Sequence, residues 1–214
     1  LIKEYLIYKM YNLFTDLSFR VRLLDMSYVD SSLKKKTLTD LAFFIVDEKE
    51  MAKRNNAKIS EVGKPHTELT DRNQMTLVAI FEYMIGNTDW AVPVRHNIKT
   101  IQPKSDETKL IAVPYDFDYS GLVNADYAVP DPLLNTQTVL ERVYRGFPRT
   151  MDEINTVLAQ FHKQKEAIYA LIKNCVYLNK NNKRIMTDYL NEFYDDIKHP
   201  NKVKYFFIDH ARSL

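Results

Sequence analysis

Two polar loops, each following an apolar segment, are the feature that most constrains how this 214-residue chain can fold. The first loop carries Asp89 and Asn97, and the second carries Asp116 and Asp118. We expect the two loops to lie side by side, because the chain between them has the pattern of a hairpin.

A β-hairpin is predicted between the two loops. The apolar runs Ile98–Ile101 and Leu110–Val113 are separated by the polar stretch 102–109, as in two strands joined by a turn. A hairpin brings its two ends together, so three carboxylates and one amide would lie side by side. Oxygen ligands of this kind suit Mg²⁺ or Mn²⁺ better than zinc, and a spare Asp could act as a base.

The helices are marked by apolar spacing and by capping residues. A buried helix is predicted over Gln74–Ile85, capped at its start by Asp71 or Asn73 and closed by Gly86. Thr150 to Glu153 has the form of a capping box, which predicts a long helix ending near Asn174. Further predicted elements are a helix over 1–14, a buried strand over Leu41–Val46, a helix after Asp47, and helices over Thr138–Arg145, Arg184–Ile197 and Val203–Ser213.

Composition is that of an ordinary globular protein, with 45% hydrophobic and 27% charged residues. A net charge of +2 predicts no large basic field, so nucleic acid is not an expected partner. No stretch reaches the roughly 18 apolar residues that a membrane-spanning helix needs. The chain begins at Leu1 directly in a helical pattern, and we expect that an upstream part of the protein is missing.

The order of buried helix, Asp89 and Asn97 loop, hairpin, and Asp116-Phe117-Asp118 resembles the catalytic half of a protein-kinase-like fold. The nearest relatives would be the atypical kinases of the spore-coat CotH type, the HipA type and the lipid-kinase-like proteins. The likeness extends over residues 1–125 in arrangement and is specific only over 86–121. It implies an ATP- and Mg²⁺-dependent (or Mn²⁺-dependent) phosphotransferase acting on an unidentified hydroxyl-bearing acceptor.

The resemblance also implies roles for individual residues. Asp89 corresponds to the catalytic-loop base, and Asn97 to the metal-binding Asn. Asp116 or Asp118 corresponds to the metal-binding Asp of the Asp-Phe-Gly motif. Asp116 directly follows the strand, as that Asp does in kinases, and Asp118 would either bind a second ion or hydrogen-bond the loop. Glu4, on the first helix, resembles the helix Glu that pairs with an ATP-contacting Lys, although a solvent-facing Glu is the alternative. Arg95 is a candidate for contacting a phosphate of the nucleotide, and a solvent-facing Arg is the alternative that its sequence context favours.

The fold class implied is α+β and kinase-like. Residues 1–50 would be the remnant of a small lobe, with a helix, antiparallel strands and the hinge. Residues 51–214 would form a mainly helical large lobe that contains the catalytic hairpin. The ATP-binding Lys and the glycine-rich loop would lie upstream of this chain.

Two other function classes stay open at this stage. Kinases usually have four residues between the base and the Asn, whereas seven separate Asp89 from Asn97. That departure is typical of a pseudokinase or a binding module that keeps the fold without turnover. A third hypothesis is a metal-dependent hydrolase or glycosyltransferase that uses Asp116 and Asp118 as an Asp-x-Asp site. An enzyme is favoured, and cellular location is not predicted.

Overall fold

The computed structural model describes residues 1–32, 34 and 36–213. Within them the fold is α+β, with six α-helices and two small antiparallel sheets. The helices are α1 (Ile2–Tyr11), α2 (Glu48–Arg54), α3 (Arg72–Ile85), α4 (Met151–Asn174), α5 (Lys180–Asp196) and α6 (Pro200–Lys204). The strands are β1 (Val21–Tyr28), β2 (Leu38–Ile45), β3 (Ala57–Ile59), β4 (Ile98–Pro103) and β5 (Ile111–Pro114).

Helix α3 lies at the centre of the molecule and packs against β5, α4 and α5. Twelve of its residues, from Gln74 to Ile85, are buried, so apolar side chains face the core on nearly every side. The carboxylate of Asp71 caps its first turn by accepting a hydrogen bond from the N–H of Gln74. Gly86 ends the helix in the left-handed conformation, with φ of 67°. The predicted capping of this helix by Asp71 and its predicted end at Gly86 are confirmed.

The predicted hairpin is confirmed as β4 and β5, which pair antiparallel with Ile98 opposite Pro114. Strand β3 adds to the other edge of β4, giving the order β3-β4-β5. Ile98 and Ile101 of β4 are fully buried, as are Ala112 and Val113 of β5. Because the hairpin is anchored against α3, both of its open ends emerge beside the C-terminal end of that helix.

The prediction of a buried strand over Leu41–Val46 is wrong in its burial. Strand β2 pairs with β1 alone, and Phe44 and Ile45 are 60% and 41% exposed. A two-stranded ribbon has two faces, and among the described residues only one of them packs against the core, through Phe43 and α1. Apolar composition therefore predicted the strand correctly but not how far it is covered.

The C-terminal helices follow the sequence pattern closely. Thr150 and Glu153 form the predicted capping box, and α4 ends at Asn174. Helix α5 begins earlier than predicted, because Asn179 caps it by accepting a hydrogen bond from the N–H of Asn182. Helix α6 continues into a π-helical turn, Tyr205–Asp209. In the described part of the chain, none of these helices combines the length and apolarity needed to cross a membrane.

The predicted helix over Thr138–Arg145 is absent, and this segment is irregular. The two arginines of this segment contact different parts of the fold. Arg142 lies 3.7 Å above the ring of Tyr189 and donates to the carbonyl of Met84, whereas Arg145 donates to the carbonyl of Thr88. These tertiary contacts override a weak local helical preference.

Candidate active site

The loop after α3 turns back on itself and so places two polar side chains against Asp89. Ala91 and His96 exchange main-chain hydrogen bonds of 2.9 and 3.0 Å, which closes a tight turn between them. His96 Nε2 then donates to Asp89 Oδ1 at 2.6 Å. Asn97 Nδ2 donates to the main-chain oxygen of Asp89 at 2.7 Å and to Oδ2 at 3.0 Å. The seven intervening residues therefore form a turn that brings Asn97 back to Asp89.

The backbone is strained where this loop enters and leaves the hairpin. Arg95, Asn97 and Asp116 have positive φ angles of 54°, 53° and 61°. Non-glycine residues adopt this conformation at an energetic cost, and such residues tend to gather at functional sites. Three of them border the two loops that the sequence singled out, so the local geometry is held by the surrounding fold.

Phe117 anchors the second loop. Its side chain is fully buried and packs edge-on against Tyr8 of α1, with ring centroids 4.8 Å apart, and against Phe81 of α3, at 5.9 Å. The hydroxyl of Tyr8 also accepts a hydrogen bond of 2.8 Å from the N–H of Asp116. With Phe117 buried, the flanking Asp116 and Asp118 are left nearer the surface.

The carboxylates of this loop repel one another. Loss of hydration, reinforced by Asp118 and Asp89, raises the pKa of Asp116. Burial, followed by the charges of Asp118 and Asp116, raises the pKa of Glu4 to about 7, an effect partly offset by the charge of the amine at Leu1 and then by the N–H of Phe117. Glu4 therefore faces the second loop and not open solvent. The hydroxyl of Tyr127 donates to Asp118 Oδ2 at 2.7 Å.

Positive charge does not balance this group. In the described part of the chain, no Lys or Arg forms an ion pair with Glu4, Asp116 or Asp118. Nor do three Asp, Glu, His or Cys side chains of the described residues converge in a geometry that could hold a metal ion by themselves. A cation at this site would need ligands of other kinds as well.

Arg95 occupies a different place from the carboxylates. Its Nη2 donates to the carbonyls of Ser60, at 3.0 Å, and Val62, at 2.5 Å. These bonds tie the loop to the segment that follows β3. Arg95 is thereby held against main-chain carbonyls, and it forms no ion pair with a carboxylate of the described residues.

Two residues that the sequence did not single out lie beneath the loop. Glu82 on α3 is 1% exposed, and burial raises its pKa to about 8. Arg145 is held against the loop by its hydrogen bond to the carbonyl of Thr88. The spacing of Glu82 in an otherwise apolar helix was a usable signal, whereas Arg145 reaches the loop only through the path of an irregular segment.

A pocket of ≈ 360 Å³ opens beside Asp89. One wall is the loop itself, including Trp90 and His96, and the opposite rim is the segment Val129–Pro132. Arg145 also lines it. Pockets of this size lie at the lower end of the range that takes small molecules.

No protein-family model, curated protein or solved structure matches this chain.

Proposed function

We propose that this chain is the catalytic part of an atypical kinase, which transfers a phosphoryl group from ATP to a hydroxyl acceptor with the help of Mg²⁺ or Mn²⁺. The observation that carries the proposal is the double hydrogen bond from Asn97 to Asp89, formed beside Asp116 and Asp118. In this reading residues 1–50 belong to a small lobe and residues 51–214 to a large one.

The donor set fits a hard divalent cation. Both donor hydrogens of the Asn97 amide point to Asp89, and its Oδ1 accepts no hydrogen bond from the described residues. That oxygen, with the carboxylates of Asp116 and Asp118, would hold the ion. Mg²⁺ commonly takes one or two carboxylates and completes its shell with water and phosphate oxygens. When bound, the ion would neutralise charge on the phosphates of the nucleotide.

Asp89 is the proposed base. Its carboxylate is fixed by His96 and Asn97, so it is oriented before the acceptor arrives. In the transfer, the acceptor oxygen forms a bond to the γ-phosphorus while the bond from that phosphorus to the β,γ-bridging oxygen breaks and ADP leaves. The proton of the acceptor hydroxyl passes to Asp89. Positioning of this kind supplies most of the catalysis in phosphoryl transfer.

Glu4 and Arg95 have supporting roles in the proposal. Glu4 lies close enough to Asp116 and Asp118 for their charges to raise its pKa, as expected for a residue at the nucleotide–metal cleft. Arg95 stabilises the loop through the carbonyls of Ser60 and Val62, and its Nη1, which makes neither bond, is the atom that would contact a phosphate.

Thermal melting with and without Mg²⁺-ATP tests the proposal. We expect a metal-dependent rise in melting temperature for the wild type, its loss in Asp116→Ala, and its retention in Asp188→Ala, a control on the exposed face of α5. Asp89→Ala should keep the nucleotide-induced rise but abolish ADP production. The absence of any rise in the wild type, or near-full turnover in Asp89→Ala, would contradict the assignment.

A catalytically inactive nucleotide-binding module is the second candidate. The observation in its favour is that both carboxylate oxygens of Asp89 already accept hydrogen bonds, from His96 and Asn97. A melting shift caused by nucleotide without metal, with no ADP formed, would favour this function over phosphotransfer.

A further inference from the structure

The pocket beside Asp89 has an unusual cation in its wall. Arg145 extends from the irregular segment before α4, and its guanidinium lies 5.8 Å from the ring centre of Trp90. One of its nitrogens, Nη1, donates to the carbonyl of Thr88. These two contacts hold the side chain of Arg145 in a fixed position at the pocket.

Arg145 has no anionic partner among the described residues. It forms no ion pair there, and its Nε and Nη2 make no hydrogen bond to that part of the protein. These two nitrogens are not sealed in the interior without partners, as the Nε atoms of Arg54 and Arg95 are. Partial burial and the nearby Arg212 lower the pKa of Arg145, whereas the charges of Asp131, Asp89 and Glu82 oppose that shift.

The acidic groups of the pocket are already engaged. Asp89 accepts hydrogen bonds from His96 and Asn97. Asp131, on the opposite rim, accepts a hydrogen bond of 2.9 Å from the N–H of Leu133. Neither carboxylate forms an ion pair with Arg145, whose Nε and Nη2 have no acceptor among the described residues and are therefore available to an anionic group.

We infer that this pocket binds the acceptor, and that the acceptor is a small hydroxyl compound carrying an anionic group, a carboxylate or a phosphate monoester, which pairs with Arg145. The inference rests on the proposed function, because Asp89 must receive the proton of the hydroxyl. The planar guanidinium matches either anion through two parallel hydrogen bonds. The hydroxyl of the same molecule would then lie toward Asp89, on the neighbouring wall.

Trp90 provides the readout, because it is the only Trp of the chain and lines the pocket. Its fluorescence is titrated with two matched series: glycerate, glycerol 3-phosphate and glycerol; then gluconate, glucose 6-phosphate and glucose. Sodium chloride is adjusted to keep ionic strength constant. We expect a saturable change with at least one anionic compound, and at least about tenfold weaker binding of its uncharged counterpart.

Variants at two positions test the charge. Arg145→Met should weaken binding of the anionic compound by at least about tenfold, while Arg184→Met, on the exposed face of α5, should leave it unchanged. Since Arg145→Met also loses the bond to Thr88, the rim residue Val129 gives an independent test. It is 65% exposed, so its substitution leaves the core intact.

Substitutions of opposite charge at Val129 should shift the affinity for the anion in opposite directions. Val129→Glu should weaken binding of the anion a few-fold and Val129→Lys should tighten it a few-fold. Val129→Gln should match the wild type. All differences should shrink at high salt, where charges at the surface are screened.

The outcomes separate this inference from the proposed function. It is overturned if no anionic compound binds, if the uncharged compounds bind as tightly, or if the Val129 series leaves affinity unchanged. The melting response to Mg²⁺-ATP should persist in Arg145→Met, because Arg145 is not among the residues proposed to hold the ion and none of those residues lines this pocket. Anion binding without any response to Mg²⁺-ATP would support the pocket as an anion site and contradict phosphotransfer. A response to Mg²⁺-ATP without anion binding would support the nucleotide site and contradict the inference about the pocket.

Discussion

Asn97 holds both the main chain and the side chain of Asp89 with a single amide nitrogen, at 2.7 Å from the main-chain oxygen and 3.0 Å from Oδ2. The amide is 7% exposed, so water competes poorly for these bonds. One residue thereby fixes the direction in which the carboxylate points.

Replacing Asn97 should therefore remove activity more than stability. If the chain is the phosphotransferase proposed above, Asn97→Ala should lower the rate of ADP release from Mg²⁺-ATP by roughly 100-fold or more, since the polar group that orients the proposed base is lost. Asn97→Asp should be no better, because it sets a new charge against Asp89. Asn191→Ala, on the exposed side of α5, is the control. An active Asn97→Ala protein would show that the loop is positioned by other contacts.

The carboxylate of Asp116 should cost stability when no metal is present. The pKa of Asp116 is raised, so its charged form is disfavoured in the folded state, and this penalty is present at any pH above the raised value. In EDTA at pH 8 we expect Asp116→Asn to be more stable than the wild type by about 1 kcal/mol, allowing for solvent screening. The gain should vanish at about pH 3, below the pKa of an unfolded Asp, where the carboxyl is largely protonated in both states.

Chemical denaturation of both proteins at the two pH values measures this difference. Asp188→Asn provides the matched change of one charge at an exposed position. A destabilised Asp116→Asn protein at pH 8 would mean that the carboxylate is already stabilised by contacts within the chain.

The free energy of unfolding should also depend on pH through Glu82, which lies beneath the loop. Its carboxylate is buried beside the side chain of Asn87, and burial raises its pKa to about 8 although Asn87 and the charge of Arg145 oppose the shift. The folded state holds the proton more tightly than the unfolded state does. Glu82 should therefore lower the free energy of unfolding by up to about 1.4 kcal/mol per pH unit from near pH 5 to pH 8.

Glu82→Gln should remove that slope, because the amide is neutral and of similar shape. Glu4 titrates near pH 7, so the quantity to compare is the difference between wild type and variant. Urea unfolding at pH 5.5, 7.0 and 8.5 should show the variant gaining relative stability as pH rises. Glu61→Gln, at an exposed position, should run parallel to the wild type. Parallel curves for Glu82→Gln would show that Glu82 is ionised in the folded protein.

The elements that frame the site could be predicted from sequence because their signals are local. Asp71, Gly86 and the alternation through the hairpin fix where α3 ends and where the two loops begin. The pairing of Asn97 with Asp89 could not be read from spacing, because it depends on the tight turn closed by Ala91 and His96.

The contacts of Arg145 explain why the pocket could not be predicted from the sequence. Its segment has the composition of a short helix, but each arginine there makes a contact with a different part of the fold. A local preference worth a few tenths of a kcal/mol per residue loses to tertiary hydrogen bonds and ring contacts. The spacing of apolar residues along the sequence therefore does not predict the pocket that these contacts create.

Gly86 should be the most sensitive single position at the entrance to the loop. Its φ of 67° is costly for any residue with a Cβ, and a Cβ built there would lie 1.9 Å from the hydroxyl of Tyr189. That hydroxyl is held by a 3.0 Å hydrogen bond to the carbonyl of Leu140, so it cannot move away freely. We expect Gly86→Ala to cost about 2–4 kcal/mol of stability, from backbone strain and overpacking together.

Gly63→Ala is the matched control, because nothing lies within 4 Å of its Cβ position and its φ is not in the left-handed region. It should be neutral, or stabilise slightly by restricting the unfolded chain. Urea denaturation of the two variants compares them directly. Tyr189→Phe combined with Gly86→Ala separates the two causes, because it removes the clashing hydroxyl and leaves the strained φ. Recovery of only part of the loss would assign the remainder to the backbone, whereas an unaffected Gly86→Ala protein would mean that α3 ends in another conformation.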